Sequence, residues 1–471
     1  MNILLTHAYF LHEDEKELAI MKPYPPLGLQ CISAYLEVKG YDNTVFDTTF
    51  SSFDDFTAHL LANPPQVIGI YTNLMTKLNV LRIMRWIKAE SSLRDCKIIL
   101  GGPEVRHHRE SFIQHGADAI VFGEGEETML ELIQYYEGTG PSKLSEIPGI
   151  AYPLADGSIM VNVDRPLIKD LDQLPLPNRK KIDQTKYFEA WRSRHGYSTI
   201  TINTMRGCPY ACKWCSRAVY GKSYRRRSPE NVVDEILDLK ANYNFDKIWF
   251  VDDVFTINHK WLREFCRLMV EKNAITPYEI ISRADRMNDE ILQLLKGSGC
   301  FRIWIGAESG SQTILDAMTR MVKVEQVAAM IKASQQYGIE AGTFIMLGYP
   351  GETEKDLKAT LNYLIDADPD HYTLTVAYPI KGTALYQEVE DVFVEDLAWE
   401  SSTDRDIDFK RTYPRRYYDH AIHWIHHEIN FHRILRANPM NYRLITSKIR
   451  SWKARLGMMM VKGVGGFGIR V

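Results

Sequence analysis

Three of the seven cysteines fall within eight residues, as Cys208-Pro-Tyr-Ala-Cys212-Lys-Trp-Cys215. Thiols at this spacing can share one metal centre. In a chain that is not disulfide-dense, such a group reads as metal-binding or catalytic. A structural zinc takes four ligands in a tetrahedron, and no fourth cysteine lies nearby. Cys266 and Cys300 sit far off on apolar runs and are expected in the core. An iron–sulfur cubane takes thiolates readily, and three of them leave one iron open. An open iron can hold an exogenous ligand, which makes the centre reactive rather than structural. Zinc is the competing reading.

Two further groups of residues could do chemistry. In the first 145 residues, short apolar runs end in Tyr71-Thr72-Asn73, Gly101-Gly102-Pro103-Glu104 and Gly123-Glu124-Gly125-Glu126, with Pro25-Pro26-Leu27-Gly28 near the first crossover. Glycines there let the backbone approach a flat or bulky ligand. Plain tight turns are the alternative, and neither a GxGxxG fingerprint nor a P-loop is present. Beyond the cysteines, Asp252 and Asp253, Arg283 and Asp285, Glu308-Ser309-Gly310, Gly348-Tyr349-Pro350-Gly351-Glu352 and Pro379-Ile-Lys-Gly382-Thr383 each follow an apolar run. Singly, each reads as a solvated loop residue or helix N-cap, Glu352 above all. Together they read as one site. Arg225-Arg226-Arg227 is offered either to an anionic substrate or to solvent.

The apolar pattern supplies the elements that must position these groups. Runs at 2–6, 44–46, 67–71, 97–100 and 119–122 alternate with helical periodicity at 27–39, 78–89 and 126–136. Such alternation means a parallel sheet covered by helices on both faces. Ligands on such sheets bind beyond the carboxyl ends of the strands. A second series of strands is predicted at 199–204, 247–251, 278–282, 302–306, 342–347 and 372–377. Ser228-Pro229-Glu230 carries the signature of a helix start. A parallel barrel of this kind has its active site at the strand C-termini.

CxxxCxxC with an aromatic residue before the last cysteine, following the first strand of a βα series, resembles the radical S-adenosylmethionine (SAM) superfamily. Six βα units match its partial barrel. The resemblance implies that SAM chelates the open iron of a [4Fe–4S] cluster held by Cys208, Cys212 and Cys215. One electron then cleaves SAM to methionine and a 5′-deoxyadenosyl radical. It implies a SAM site of Trp214, Asp252, Asp253, Arg283, Glu308, Gly348, Pro350 and Gly351. In that site the Asp pair lies near the amino end, Glu308 accepts from the ribose hydroxyls, and the last strand ends lie against the adenine.

An open α/β domain ahead of the barrel is similar to the cobalamin-dependent class. This implies a corrinoid over the sheet edge, near Thr72, Asn73, Gly101, Gly102, Pro103, Gly123, Glu124, Gly125 and Glu126. One departure stands out. Many cobalamin domains carry DxHxxG, whereas Asp47-Thr48-Thr49-Phe50 has no histidine, so water or nothing is expected as the lower cobalt ligand. The expected fold class is α/β: an open parallel-sheet, Rossmann-like cobalamin domain at 1–145, a linker at 146–190, a partial (β/α)6 barrel at 191–390 and a small helical region at 391–471. The expected reaction is methylation of an unactivated carbon on a small-molecule or lipid-like substrate, with flavodoxin or ferredoxin as electron donor. Oxidative cyclisation or rearrangement of the tetrapyrrole type is the enzymatic alternative, and a corrinoid or iron–sulfur redox sensor the non-enzymatic one. A methylthiolating enzyme would bring a second three-cysteine cluster, but the front domain has only Cys31 and Cys96.

The whole-chain averages are close to those of an average soluble protein. The 471 residues are 45% hydrophobic and 25% charged, with a net charge of −3. Disordered and disulfide-dense classes are excluded, and nothing global argues for nucleic acid. No run of about 18 apolar residues occurs, and the N-terminus lacks a signal pattern, so a cytoplasmic location is expected. The connector contains a hairpin and a Pro-rich stretch. From Lys410 onward 13 Lys and Arg face 2 acids. There His420, His423 and His427 share a helix face, expected to stack rather than bind metal. The basic, apolar stretch 445–461 and its glycine-rich end are read as a lid, a peripheral membrane contact or a solvated tail.

Overall fold

The computed structural model describes residues 1–464. They form two compact units, one of residues 1–210, 216–251 and 397–405, the other of 211–215, 252–396 and 406 onward.

In the first unit, seven strands form one sheet: β1 (Ile3–His7), β2 (Thr44–Phe46), β3 (Val67–Tyr71), β4 (Lys97–Gly101), β5 (Ala119–Val121), β6 (Ile150–Pro153) and β7 (Ile159–Val161). Their order is β2-β1-β3-β4-β5-β6-β7. The first five are parallel, and β6 and β7 are antiparallel. The hairpin expected in the connector thus extends the sheet.

Side chains alternate between the faces of a strand, and helices cover both faces here. Leu4, Ile68, Ile70, Ile98 and Leu100 pack on one side with Val80, Met84 and Ile87 of the helix Lys77–Ala89. Ile3, Leu5, Val67, Ile99 and Val121 pack on the other with Leu29 and Leu36 of Leu27–Val38, and with Met129, Leu132 and Ile133 of Glu126–Glu137. Each such side chain contributes about 1.5–3 kcal/mol by leaving water. Residues 397–405, expected with the C-terminal region, pack here instead. The Trp399 ring lies 4.8 Å from Phe112, and the Lys77 ammonium sits 4.3 Å from the Trp399 ring.

The strand predicted at 199–204 is split. β8 (Thr199–Ile202) pairs in parallel with β11 (Lys247–Phe250). The chain then turns off the sheet, so that β9 (Met205–Arg206) pairs antiparallel with β10 (Arg225–Arg226). The helix Pro229–Asn242 lies between them. Its Ser228 hydroxyl accepts from Asn231 N at 3.1 Å, as its signature predicts.

In the second unit, β12 (Tyr278–Ser282), β13 (Cys300–Glu308), β14 (Glu340–Leu347) and β15 (His371–Val376) pair in parallel in sequence order. Helices Asp289–Gly297, Val324–Gln336 and Glu354–Ala367 alternate with them. With β8 and β11, they are the six strands of a partial (β/α)6 barrel.

The C-terminal helices Arg415–Ala437 and Arg443–Val464 form an antiparallel hairpin in the second unit. Small residues allow the close approach: a Cβ on Gly457 would lie 2.7 Å from the His420 ring. The buried Glu428 accepts from Lys448 at 2.9 Å and from Ser451. His423 and His427 stack, with ring centroids 6.5 Å apart. His426 pairs with the Tyr372 hydroxyl at 2.9 Å. The glycine-rich end from 465 lies outside the described residues.

Candidate active site

In the first unit, the strand order reverses between β1 and β3. This is the switch point at which open α/β sheets bind ligands, because the crossovers leave on opposite faces there. A cleft of about 1250 Å³, counted out to its mouth, lies at these strand ends. Its floor is apolar: Leu5, Ile70, Ile99, Val121 and Met129. Its walls include Gly101, Gly102, Pro103, Gly123, Glu124, Gly125 and Glu126, all singled out in the sequence. Thr72 and Asn73 are not in the lining. Thr72 N donates to Gly101 O at 2.7 Å, and Asn73 Oδ1 accepts from Met75 N and Thr76 N at the start of the next helix. These two build the turn beside the cleft.

Gly102 shows why a glycine is needed. Its φ is +107°, and a Cβ there would lie 2.4 Å from Thr72 O. Only glycine takes this conformation at such close approach.

The acids of the Gly123–Glu126 loop are ion-paired by residues that the sequence reading did not connect with them. Arg206 donates to Glu124 at 2.7 Å and also to Glu126. Arg225 donates to Glu124 Oε2 at 2.7 Å and to Ile168 O at 2.6 Å. Ile168 N adds a third donor to Glu124 at 2.8 Å. Burial works against the Arg206 charge, yet the adjacent Glu126 carboxylate holds its proton more tightly than usual. Arg206 and Tyr220 complete the lining.

The Arg225–Arg227 run is therefore neither substrate-facing nor solvated. Arg226 donates to the Thr204 hydroxyl at 3.0 Å, and Arg227 donates to Glu235 at 2.5 Å. Two acids on one glycine loop were the available signal that cations must come from elsewhere.

In the second unit, Cys212 is buried, and Arg320 Nη1 lies 3.8 Å from its sulfur. Arg320 also donates to Gly306 O at 2.8 Å, and its Nε lies 3.7 Å from Glu308. A Cβ on Gly306 would strike this guanidinium at 2.4 Å. Glu308 ends β13 after a register shift, with a left-handed φ of 68°. Burial pushes its carboxyl above the usual range, against the pull of Arg320. Arg283 is fully buried. It donates to Arg320 O at 3.0 Å, Met321 O at 3.2 Å and Asp285 at 2.8 Å, so it shapes the 320–321 turn.

The cysteine loop is tied to this unit through Lys213, whose N donates to Met318 O at 3.2 Å and whose O accepts from Leu385 N at 2.9 Å. Trp214 is half-buried, Cys215 is exposed and Cys208 is half-buried after Gly207. Asp252 is buried and Asp253 exposed.

Glu352 corrects an expectation. It is fully buried and accepts from Gly348 N at 2.5 Å, closing the Gly348–Glu352 loop. Burial pushes its carboxyl up to about 8. Pro350 and Gly351 lie toward the surface of that loop, where Gly351 has a φ of +82°.

Among the described residues, one other group has metal-compatible atoms within 4.8 Å of one another: Glu104, His108 and Asp404. His108 Nδ1 accepts from Trp399 Nε1–H at 2.9 Å, which leaves the ring proton on Nε2, facing Glu104 at 3.5 Å. A protonated nitrogen is a donor and not a metal ligand.

Residues 20–133 match the family described as the B12 binding domain, and residues 202–364 match the Radical SAM superfamily. The chain is 28% identical over 371 residues to an uncharacterised methyltransferase of Pyrococcus horikoshii, covering 77% of this chain and 78% of that one. It is 26% identical over 399 residues to the anaerobic magnesium-protoporphyrin IX monomethyl ester cyclase of Rubrivivax gelatinosus, covering 83% and 70%. Its fold is similar to that of the radical SAM methyltransferase TsrM of Kitasatospora setae, solved with cobalamin and a [4Fe–4S] cluster bound. There the TM-score is 0.68 and the identity 18%, over 83% of this chain and 75% of that one.

The residues fit these groups. None of the three loop cysteines is held in a disulfide, and thiolates at this spacing suit iron. The cleft has an apolar floor and a glycine wall that side chains would fill. The chain thus belongs to the cobalamin-dependent radical SAM enzymes, and its cofactors are a [4Fe–4S] cluster, SAM and cobalamin.

Proposed function

We propose that this enzyme methylates an unactivated carbon of a small-molecule or lipid-like substrate. The observation that carries the proposal is the glycine-walled, apolar-floored cleft at the switch point of a B12 binding domain, in a chain similar to an uncharacterised methyltransferase. When bound, the cofactors supply a hydrogen-abstracting radical and a methyl group to replace the hydrogen removed.

The chain's own residues receive and orient them. Cys208, Cys212 and Cys215 ligate the cluster. Gly101, Gly102, Pro103 and the Gly123–Glu126 loop take the corrinoid, and Arg206 and Arg225 hold that loop in place. No histidine is among the residues that line the cleft. Glu308 would accept from the SAM ribose, Asp252 and Asp253 would serve its amino end, and Trp214 and the Gly348–Gly351 stretch would complete its site. Arg283 acts by fixing the turn that carries Arg320. The working division is 1–145 for the corrinoid, 146–190 for the connector, 191–390 for the radical chemistry and 391–471 for the C-terminal region. A flavodoxin- or ferredoxin-like donor supplies the electron. Cytoplasmic work, with the basic C-terminus touching lipid, belongs to the same proposal; no helix among the described residues is long and apolar enough to cross a membrane.

Anaerobic turnover with SAM labelled in its methyl group tests the reading. Methyl transfer gives label in product, with both 5′-deoxyadenosine and S-adenosylhomocysteine. Similarity to the cyclase favours a second reading, in which 5′-deoxyadenosine forms without S-adenosylhomocysteine. Failure to form either with the true substrate would rule out both.

A further inference from the structure

The helix Arg443–Val464 carries a second apolar face that the fold does not use. Its inner face is Ser447, Ser451, Ala454 and Met458, all buried. On the opposite side Ile445, Ile449, Trp452, Leu456 and Met459 recur at alternating spacings of four and three, with Met460 beside them. A helix turning once per 3.6 residues places these on one stripe. All six are exposed, Ile445 at 65% and Trp452 at 60%. A stripe this long on a solvent face marks an interaction surface.

Charge selects what covers it. The sequence has no acid after Glu428. Arg450 and Lys453 flank the stripe on one side, with Lys448 and Arg455 on the other. Lys448 and Arg455 are already paired, with Glu428 and Glu354. The alternating spacing also suits a two-helix seam, but two copies packed stripe to stripe would set Lys448 against Lys453 of the other copy, and like charges there oppose pairing. An anionic surface meets no such conflict. A tryptophan in the middle of the stripe suits the boundary between lipid tails and water.

We infer that this helix is a docking face for an anionic lipid bilayer, lying flat in the headgroup region with Ile445, Ile449, Trp452, Leu456 and Met459 turned into the acyl boundary. The inference deepens the lipid contact proposed above and does not depend on methyl transfer; its test measures no turnover.

The test uses the full chain and vesicles of phosphatidylcholine, alone or mixed with phosphatidylglycerol. The protein is expected to sediment with the mixed vesicles and to stay in solution with the neutral ones. Ile449→Ser with Leu456→Ser, and separately Arg450→Glu with Lys453→Glu, should each lower partitioning by about tenfold or more. Both faces lie away from the core, so unchanged circular dichroism and cobalamin content show that each variant is folded. Absence of sedimentation with anionic vesicles overturns the inference, as does equal binding to neutral ones or binding that neither pair of substitutions weakens. A lipid-free dimer in light scattering that Ile449→Ser with Leu456→Ser dissolves would assign the face to a second copy instead.

Discussion

Replacing Arg206 by Met tests the charge network of the corrinoid cleft. Arg206, Glu124 and Glu126 are each at least nine-tenths buried. The substitution leaves the two acids in different positions. Glu124 keeps Arg225 at 2.7 Å and the Ile168 amide at 2.8 Å. Glu126 loses the guanidinium that balances it. Stranding one charge of a buried pair costs about 3–5 kcal/mol. Because one acid stays compensated, the low end applies, about 3 kcal/mol. With a urea slope of about 2 kcal/mol per molar, the midpoint of the transition should fall by about 1.5 M. Adding Glu126→Gln removes the stranded charge and should return most of the loss. Urea unfolding of the apoprotein followed by near-UV circular dichroism measures all of this. A single variant that loses less than about 1 kcal/mol, with a double variant no better, would show that these charges are solvated and that the cleft is not held as described.

Gly102→Ala should weaken hydroxocobalamin binding by about tenfold or more, because its Cβ meets Thr72 O at 2.4 Å in a left-handed conformation; absorbance titration reads it, and Gly40→Ala, with nothing within 4 Å, is the control for backbone strain. Arg320→Met should make the cluster harder to reduce, since a hydrogen bond to a ligating sulfur raises the potential. Potentiometry followed by electron paramagnetic resonance checks this, and Arg320→Lys should recover part of the shift. Glu352 has a folded pKa raised to about 8. The stability that its neutral form contributes is therefore fully present below the ordinary carboxyl range and is lost as pH rises from there through about 8. Calorimetry should show Tm falling over that range in the wild type and a flatter profile in Glu352→Gln.

How far the site was legible depended on the range of the interaction. The front sheet could be read because apolar alternation is local, and the glycine loops could be read because a glycine's freedom is a property of one residue. The cations were hidden: Arg206 lies 82 residues from Glu124, and Arg225 lies 101. Arg320 is 108 residues from Cys212 and reaches it from the turn that Arg283 shapes. Which strand end faces which loop is set by topology, and no periodicity carries it. Glu352 misled for a related reason. A carboxylate after a glycine turn reads as solvated until the turn is seen to fold over it. The strand at 199–204 failed locally, since Asn203 and Thr204 leave the sheet and let Arg206 reach the cleft.

The Asp47–Phe50 stretch has a structural task of its own. Asp47 accepts from His7 Nε2 at 2.8 Å, the Tyr187 hydroxyl at 2.7 Å and Thr49 N at 3.0 Å. Thr49, at the third position of the Asp47–Phe50 stretch, is buried, and its hydroxyl lies 2.8 Å from that of Tyr187. This loop anchors the helix Gln184–His195, and none of its residues lines the cleft. An imidazole at position 49 would have to displace the Tyr187 contact to be housed at all. His7, the histidine on β1, is already committed to Asp47. The loop that supplies a ligand in other cobalamin domains serves here as a clamp within the unit.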